Sequence, residues 1–173
     1  MSERAGLHQH RQSARAAVPT LVVTVSDTRT LETDSGGALA AELLAGAGHP
    51  LVRREIVKDE PAAIADVVRR GLAEDGVGAL LLTGGTGVAP RDVTPDAVEP
   101  LLERVIPGFG EIFRALSYEE IGSAALLSRA LAGIAAGRVV FVLPGSRGAV
   151  RLGLEKLVLP ELGHLAAEAL KTR

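Results

Sequence analysis

The chain has no cysteine and no tryptophan, and only three Phe and one Tyr among its 173 residues. Without cysteine there can be no disulfide, no thiolate metal site and no cysteine nucleophile, a pattern that fits a cytoplasmic protein. With so few aromatics, a core must be built from Leu, Val, Ile and Ala. Neither charge dominates: 19 basic and 21 acidic residues leave a net charge of -2. That speaks against a dedicated nucleic-acid binder, which shows a basic excess. No apolar run approaches the roughly 20 residues that span a bilayer. Near the N-terminus, Glu3, His8, Gln9, His10, Arg11 and Gln12 interrupt any apolar signal-peptide stretch. What remains is 47% hydrophobic and 23% charged, which excludes a disordered chain and suits one globular domain.

Residues 1–18 read as a polar, mobile tail, and residues 19–173 as a single domain. Thr20 to Val25 is a short β-branched run ending in Ser26-Asp27, the pattern of a buried strand. Asp34-Ser35 caps a helix that ends near Gly46-Ala47-Gly48. Leu51 to Val57 is a second strand of mixed polarity, near an edge. A helix opens at Asp59-Glu60-Pro61 and carries Ile64, Val67, Val68 and Leu72 on one face. Ala79 to Thr83 is a third strand, running straight into Gly84-Gly85-Thr86-Gly87. Thr94 caps a helix with Pro95 at its first position, and Leu101, Leu102, Val105 and Ile106 continue its pattern until Pro107-Gly108. Further helices are expected over 109–116 and 123–131, and a strand over 139–143. A last helix runs from Val150 to Leu165, with a kink or break at Pro160. Strands separated by helix-length segments give a parallel sheet. In such sheets ligands bind at the carboxyl ends of strands. Here those ends carry Ser26-Asp27, Asp59, the loop from Gly84 to Asp92, and the segment from Pro144 to Gly148.

Several catalytic signatures fail. The glycine loop has no Lys, so it is not a Walker loop. From Gly85 the dinucleotide spacing lacks its third glycine. Gly145-Ser146-Arg147-Gly148 has the wrong spacing for a nucleophile elbow. No His lies near a plausible nucleophile, which leaves a Ser-His-Asp hydrolase without support. His8 and His10, one residue apart in the tail, fit either a metal site or solvated surface. What survives is the Gly84 to Gly87 loop, which fits an anion cradle or a tight turn. Asp92 follows it. With Thr94 as the cap, Asp92 has no structural work, so it suggests a magnesium ligand. Asp96 suits the first turn of a helix. Asp59 fits either a helix cap or a functional carboxylate. Ser117, Ser128-Arg129 and Ser146-Arg147 add hydroxyl donors and cations suited to phosphate.

The strings Val25-Ser26-Asp27-Thr28, Thr83-Gly84-Gly85-Thr86-Gly87, Arg91-Asp92-Val93-Thr94-Pro95-Asp96-Ala97, Pro107-Gly108-Phe109-Gly110-Glu111, Leu127-Ser128-Arg129 and Pro144-Gly145-Ser146 stand in this order. Together they resemble the MoaB/Mog family of molybdenum-cofactor biosynthesis proteins, over roughly residues 20–168. The stretch from Phe113 to Gly122 is more similar to the MoaB branch. The resemblance implies a three-layer α/β/α domain with a mostly parallel central sheet. It implies a homotrimer or hexamer, and contact with the molybdate-inserting enzyme of the pathway. It implies adenylylation of molybdopterin by ATP and Mg2+, giving adenylyl-molybdopterin and pyrophosphate. Asp59 and Asp92 match the family's two key aspartates and are expected to act as magnesium ligands. Gly84, Gly85, Thr86 and Gly87 are expected to bind phosphate. Ser128 and Pro144, Gly145 and Ser146 are expected to line the pterin side, with Ser26, Asp27, Ser117 and Arg129 contributing to binding. Ser146 departs from the Asn or Gln that many members carry. A non-catalytic molybdopterin carrier or scaffold is the alternative, with an unrelated phosphosugar or nucleotide enzyme as a further rival.

Overall fold

The computed structural model describes residues 16–171. Most of the tail, with His8 and His10, lies outside the described residues. The folded body starts slightly earlier than the sequence suggests. Val18 is buried, and its N–H donates to Nδ1 of buried His49 at 3.1 Å.

One six-stranded sheet organises the molecule, in the order β2-β1-β3-β6-β5-β4. Strands β1 (Thr20–Val25), β2 (Leu51–Val57), β3 (Ala79–Thr83) and β6 (Arg138–Leu143) are parallel neighbours, as the apolar runs predict. Successive side chains in a strand point to opposite faces, and both faces here are covered. Leu21, Val23, Leu80, Leu82, Val140 and Val142 pack under helices α2 (Pro61–Ala73) and α3 (Thr94–Val98). Val22, Leu81, Phe141 and Leu143 face the other way, toward helices α1 (Ser35–Gly46), α4 (Pro107–Ile121), α5 (Arg147–Gly153) and α6 (Leu159–Ala169). Double coverage explains why β1 and β3 are apolar at nearly every position. Each fully buried Leu, Val or Phe contributes about 1.5–3 kcal/mol.

The α1 start is fastened by a buried carboxylate. Asp34 Oδ1 accepts from the Gly37 amide at 2.9 Å. Its Oδ2 accepts from Thr24 Oγ1 and from Arg54 Nη2, both at 2.8 Å. Burial pushes the Asp34 pKa up, but the Gly37 amide, Arg54 and Thr24 outweigh it, and the net shift is downward.

The far half of the sheet departs from the sequence reading. The helix expected over 123–131 is instead a 3-10 segment (Gly122–Leu127) followed by a strand, β5 (Leu131–Ala135). β5 pairs antiparallel with β6, so the sheet is mixed rather than wholly parallel. The Ala136-Gly137 turn between them has both φ values positive, at 49° and 71°, as two-residue hairpins of the primed types require. The helix from Thr94 is also shorter than expected. It stops at Val98, passes through a 3-10 turn to Leu101, and yields to the two-residue edge strand β4 (Arg104–Val105). Ile106 N–H donates to Ala132 O at 2.7 Å, which draws this segment onto the sheet. At Pro160 the expected irregularity is present. Residues Leu154–Val158 form a wide π turn immediately before α6, and Pro160 sits in its first turn.

Candidate active site

The order of parallel strands reverses direction at the β1–β3 boundary, since β2 lies outside β1 while β6 lies outside β3. A crevice is expected beyond the carboxyl ends there, and the loops that follow β1, β2, β3 and β6 gather at that edge.

The glycine loop is held open by contacts that admit no side chain. Gly84 has φ 104°, and its N–H donates to Leu143 O at 3.0 Å. A Cβ on Gly84 would lie 2.4 Å from Val25 O. Gly85 has φ 61°, and a Cβ there would lie 2.4 Å from Thr94 Oγ1 and 3.0 Å from Asp59 Oδ1. The loop after β6 closes against it, with Gly145 packed on the Gly84 backbone. Among the described residues, the amides of Gly85, Thr86 and Gly87 have no acceptor. Unpaired amides following a strand form a cradle suited to an anion.

A cleft of about 320 Å³ opens in front of this loop. It brings together Gly85, Thr86, Gly87, Asp92, Ser117, Ser128, Pro144, Gly145 and Ser146. It also has an apolar wall, to which the sequence reading assigns no binding role. Phe113 and Ile121 come from α4, and Ala124, Ala125 and Leu127 from the 3-10 segment. Among the described residues, no Lys, Arg or His side chain lines it. A second hollow, of about 480 Å³, lies across Ser128 and Arg129 and includes Asp96, Glu99, Glu111 and Arg114, but none of the glycine loop.

Five of the expected residues stand outside the cleft lining. Gly84 lies beneath it, between Val25 and Leu143. Ser26 Oγ accepts from the Thr28 and Arg29 amides at 3.3 and 3.2 Å, closing the turn after β1. Asp27 Oδ1 accepts from the Asp59 amide at 3.1 Å, and its Oδ2 pairs with Arg91 at 3.2 Å. Arg129 is fully engaged. Its Nε donates to Gly87 O at 2.8 Å, its Nη2 to Asp92 O, and its Nη1 to the Asp96 carboxylate at 2.9–3.0 Å. It shapes the glycine loop rather than offering its charge to a ligand. Asp59 is the fifth, tucked behind Gly85.

Two readings of the acidic loop change. Thr94 is not the helix cap: Val93 occupies that position without a side-chain bond, and Thr94 turns inward. Its Oγ1 is buried without a partner. Asp92 is not idle either, because its Oδ2 accepts from the Ala89 amide at 3.0 Å. Its other oxygen, Oδ1, has no such bond. Asp59 Oδ1 is likewise buried without a partner. The Asp59 pKa is raised, first by burial and then by the charges of Asp27 and Asp92, against Arg91 and the Val93 amide. Three carboxylates thus face one exposed guanidinium. That charge balance and an orphaned carboxylate oxygen fit a divalent cation. Among the described residues, no three acidic or His side chains form a closed ligand set. Magnesium commonly takes one or two carboxylates and completes its shell with substrate phosphate and water, so an open pair suits it.

No helix among the described residues is long and apolar enough to cross a membrane. A family profile described as "Probable molybdopterin binding domain" matches residues 21–164. Molybdenum cofactor biosynthesis protein B of Halalkalibacterium halodurans is 48% identical over 168 residues, covering 96% of this chain and 99% of that protein. A crystal structure of a molybdenum cofactor biosynthesis protein B superposes with TM-score 0.88 at 51% identity, over 90% of this chain and 97% of the other. The tungsten cofactor synthesizing protein MoaB from Pyrococcus furiosus gives TM-score 0.81 at 36% identity, covering 90% and 98%. With the mixed sheet, the glycine loop and the acidic string all in place, the chain belongs to the MoaB/Mog family of molybdenum-cofactor biosynthesis proteins, on its MoaB branch.

Proposed function

We propose that this protein adenylylates molybdopterin, using ATP and Mg2+ and releasing pyrophosphate. The observation that carries the reading is the orphaned Asp59 oxygen behind a glycine loop that has unpaired amides and lines the cleft together with Asp92.

The terminal phosphate of molybdopterin is the nucleophile. Phosphate monoesters have a second pKa of about 6, so near neutrality this group is already a dianion and requires no general base. The lack of His in the cleft lining is compatible with that. A phosphate oxygen attacks the α-phosphorus of ATP. A new P–O bond forms, the bond to the β-phosphate breaks, and pyrophosphate leaves with the electron pair. The obstacle is mutual repulsion of two anions, so donors and positive charge are the main requirement. The amides of Gly85, Thr86 and Gly87 receive phosphate oxygens. Asp59 and Asp92 would hold the magnesium, which when bound neutralises polyphosphate charge. The apolar wall from Phe113 to Leu127 shields the reacting groups from water. Ser117 and Ser128 offer hydroxyls to the pterin side.

The test is a single-turnover incubation with molybdopterin, ATP and Mg2+, followed by chromatography for the adenylyl product. Asp59→Asn and Asp92→Asn should each lower product formation by about 100-fold or more, while molybdopterin affinity changes little. Equal loss of turnover and pterin affinity would overturn the metal-ligand role. A second reading is a non-catalytic molybdopterin binder, favoured by one observation: among the described residues, no cationic side chain lines the cleft. Pterin binding with no adenylyl product would select it.

A further inference from the structure

A nucleoside triphosphate would carry several negative charges into a cleft that no basic side chain lines among the described residues. The cations around the glycine loop are therefore decisive. Arg129 cannot turn toward a ligand, because it bonds two backbone carbonyls and the Asp96 carboxylate. Arg91 is different. It adjoins Asp92, its side chain is 69% exposed, and among the described residues its one partner is Asp27 Oδ2 at 3.2 Å. Exposed pairs of this kind are weakly held, so a modest change in local field releases the guanidinium. Asp27 also ties this pair to the acidic corner, since its Oδ1 accepts from the Asp59 amide. That corner carries an independent sign of a ligand. Thr94 is wholly buried, yet its Oγ1 has no partner, and it shares the space beneath Gly85 with the orphaned Asp59 oxygen.

We infer that Arg91 is a latent phosphate ligand: Asp27 masks it in the free protein, and a divalent cation arriving at the neighbouring carboxylates releases it to the polyphosphate of a nucleoside triphosphate. The inference rests on the nucleotide reading above. A guanidinium suits this role because its planar donors match phosphate oxygens. The cation weakens the attraction between Arg91 and Asp27, so metal and nucleotide reinforce one another.

The test is ATP binding by calorimetry, with EDTA and with Mg2+, for the wild type, Asp27→Asn, Arg91→Gln and the double variant. Asn keeps the oxygen that accepts from the Asp59 amide while losing the charge that masks Arg91. Asp27→Asn should raise metal-free ATP affinity roughly twofold to fivefold, the range an exposed ion pair commands. That gain should vanish in the Arg91→Gln background and shrink in Mg2+, where the arginine is already free. Arg91→Gln alone should weaken ATP binding in Mg2+. A gain that persists without Arg91 would reduce the effect to removal of a negative charge and overturn the inference. So would an equal gain with and without Mg2+, or no gain in a protein that binds Mg-ATP normally; the nucleotide reading would then stand. A wild type that binds no ATP under either condition overturns both.

Discussion

Asp34 and Asp59 are two carboxylates at the same edge of one sheet, and their surroundings push them in opposite directions. Asp34 is 2% exposed, yet its two oxygens receive an amide, a hydroxyl and a guanidinium, and its pKa is lowered. Asp59 is less buried, yet burial is the first cause of its raised pKa, followed by the charges of Asp27 and Asp92, and one of its oxygens has no donor to offset them. Burial acts on both carboxylates in the same direction; the supply of donors decides whether it is offset. A satisfied carboxylate fastens the fold. One left short of donors is a cost that a ligand can relieve.

Removing the satisfied carboxylate should have the largest effect. Asp34→Ala leaves Arg54, Thr24 and the Gly37 amide without their acceptor and should cost about 3 kcal/mol in urea unfolding. A loss below about 1 kcal/mol would erase the contrast. The same comparison made with two threonines should give effects of opposite sign. Thr24→Val removes a donor to Asp34 and should cost about 1 kcal/mol, whereas Thr94→Val removes a hydroxyl that has no partner and should be neutral or stabilising by up to about 1 kcal/mol. Loss of stability in both would mean that Thr94 has structural work. The smallest effect is electrostatic. The folded pKa of Asp59 is raised, so its charge opposes folding above that pKa, and the penalty is absent below about 3.9, the ordinary Asp value. Asp59→Asn should therefore raise the melting temperature at pH 7 and lose that gain as pH falls through the raised pKa. Asp34 works in reverse: its stabilisation is present above about 3.9 and is lost as pH falls through its depressed pKa. A lower melting temperature for Asp59→Asn at pH 7 would put Asp59 in the same class as Asp34.

The half of the sheet that could be read from sequence is the half built of β-branched and leucine runs. β1, β3 and β6 are buried on both faces and carry apolar residues at most positions. β5, Leu-Ala-Gly-Ile-Ala, has a single β-branched residue and a composition that suits a helix. Its strand state comes from pairing with β6, a tertiary effect that local preference does not carry. Its turn was hidden for a similar reason, because Ala136 holds a position where Asn or Gly is the usual signal. β4 is only two residues long and has no pattern of its own. Within the site, the glycine loop, Asp92 and the Pro144 to Ser146 segment were legible because strand ends must converge. Arg129 was not. A surface-like Ser-Arg pair gives no hint that its side chain reaches carbonyls some 40 residues away. Thr94 was misread because a threonine before Pro-Asp has the form of a cap, while Val93 takes that place and leaves the hydroxyl inside. Phe113 and Leu127 of the apolar wall fall within strings that carry the family resemblance, but hydrophobicity alone does not mark them as a cleft lining.

The glycine loop takes its shape from residues made much later. Gly84 is held by Leu143, it is packed by Gly145, and the carbonyls of Gly87 and Asp92 are gripped by Arg129. A polypeptide interrupted before residue 129 carries the glycine string and the Thr94 bond to Gly85 O, but lacks the Arg129, Leu143 and Gly145 contacts that complete the cradle. During synthesis, the three earlier parallel strands can pair while the cleft does not yet exist. Any ligand that binds there recognises only the finished chain, and its binding free energy stabilises that chain alone.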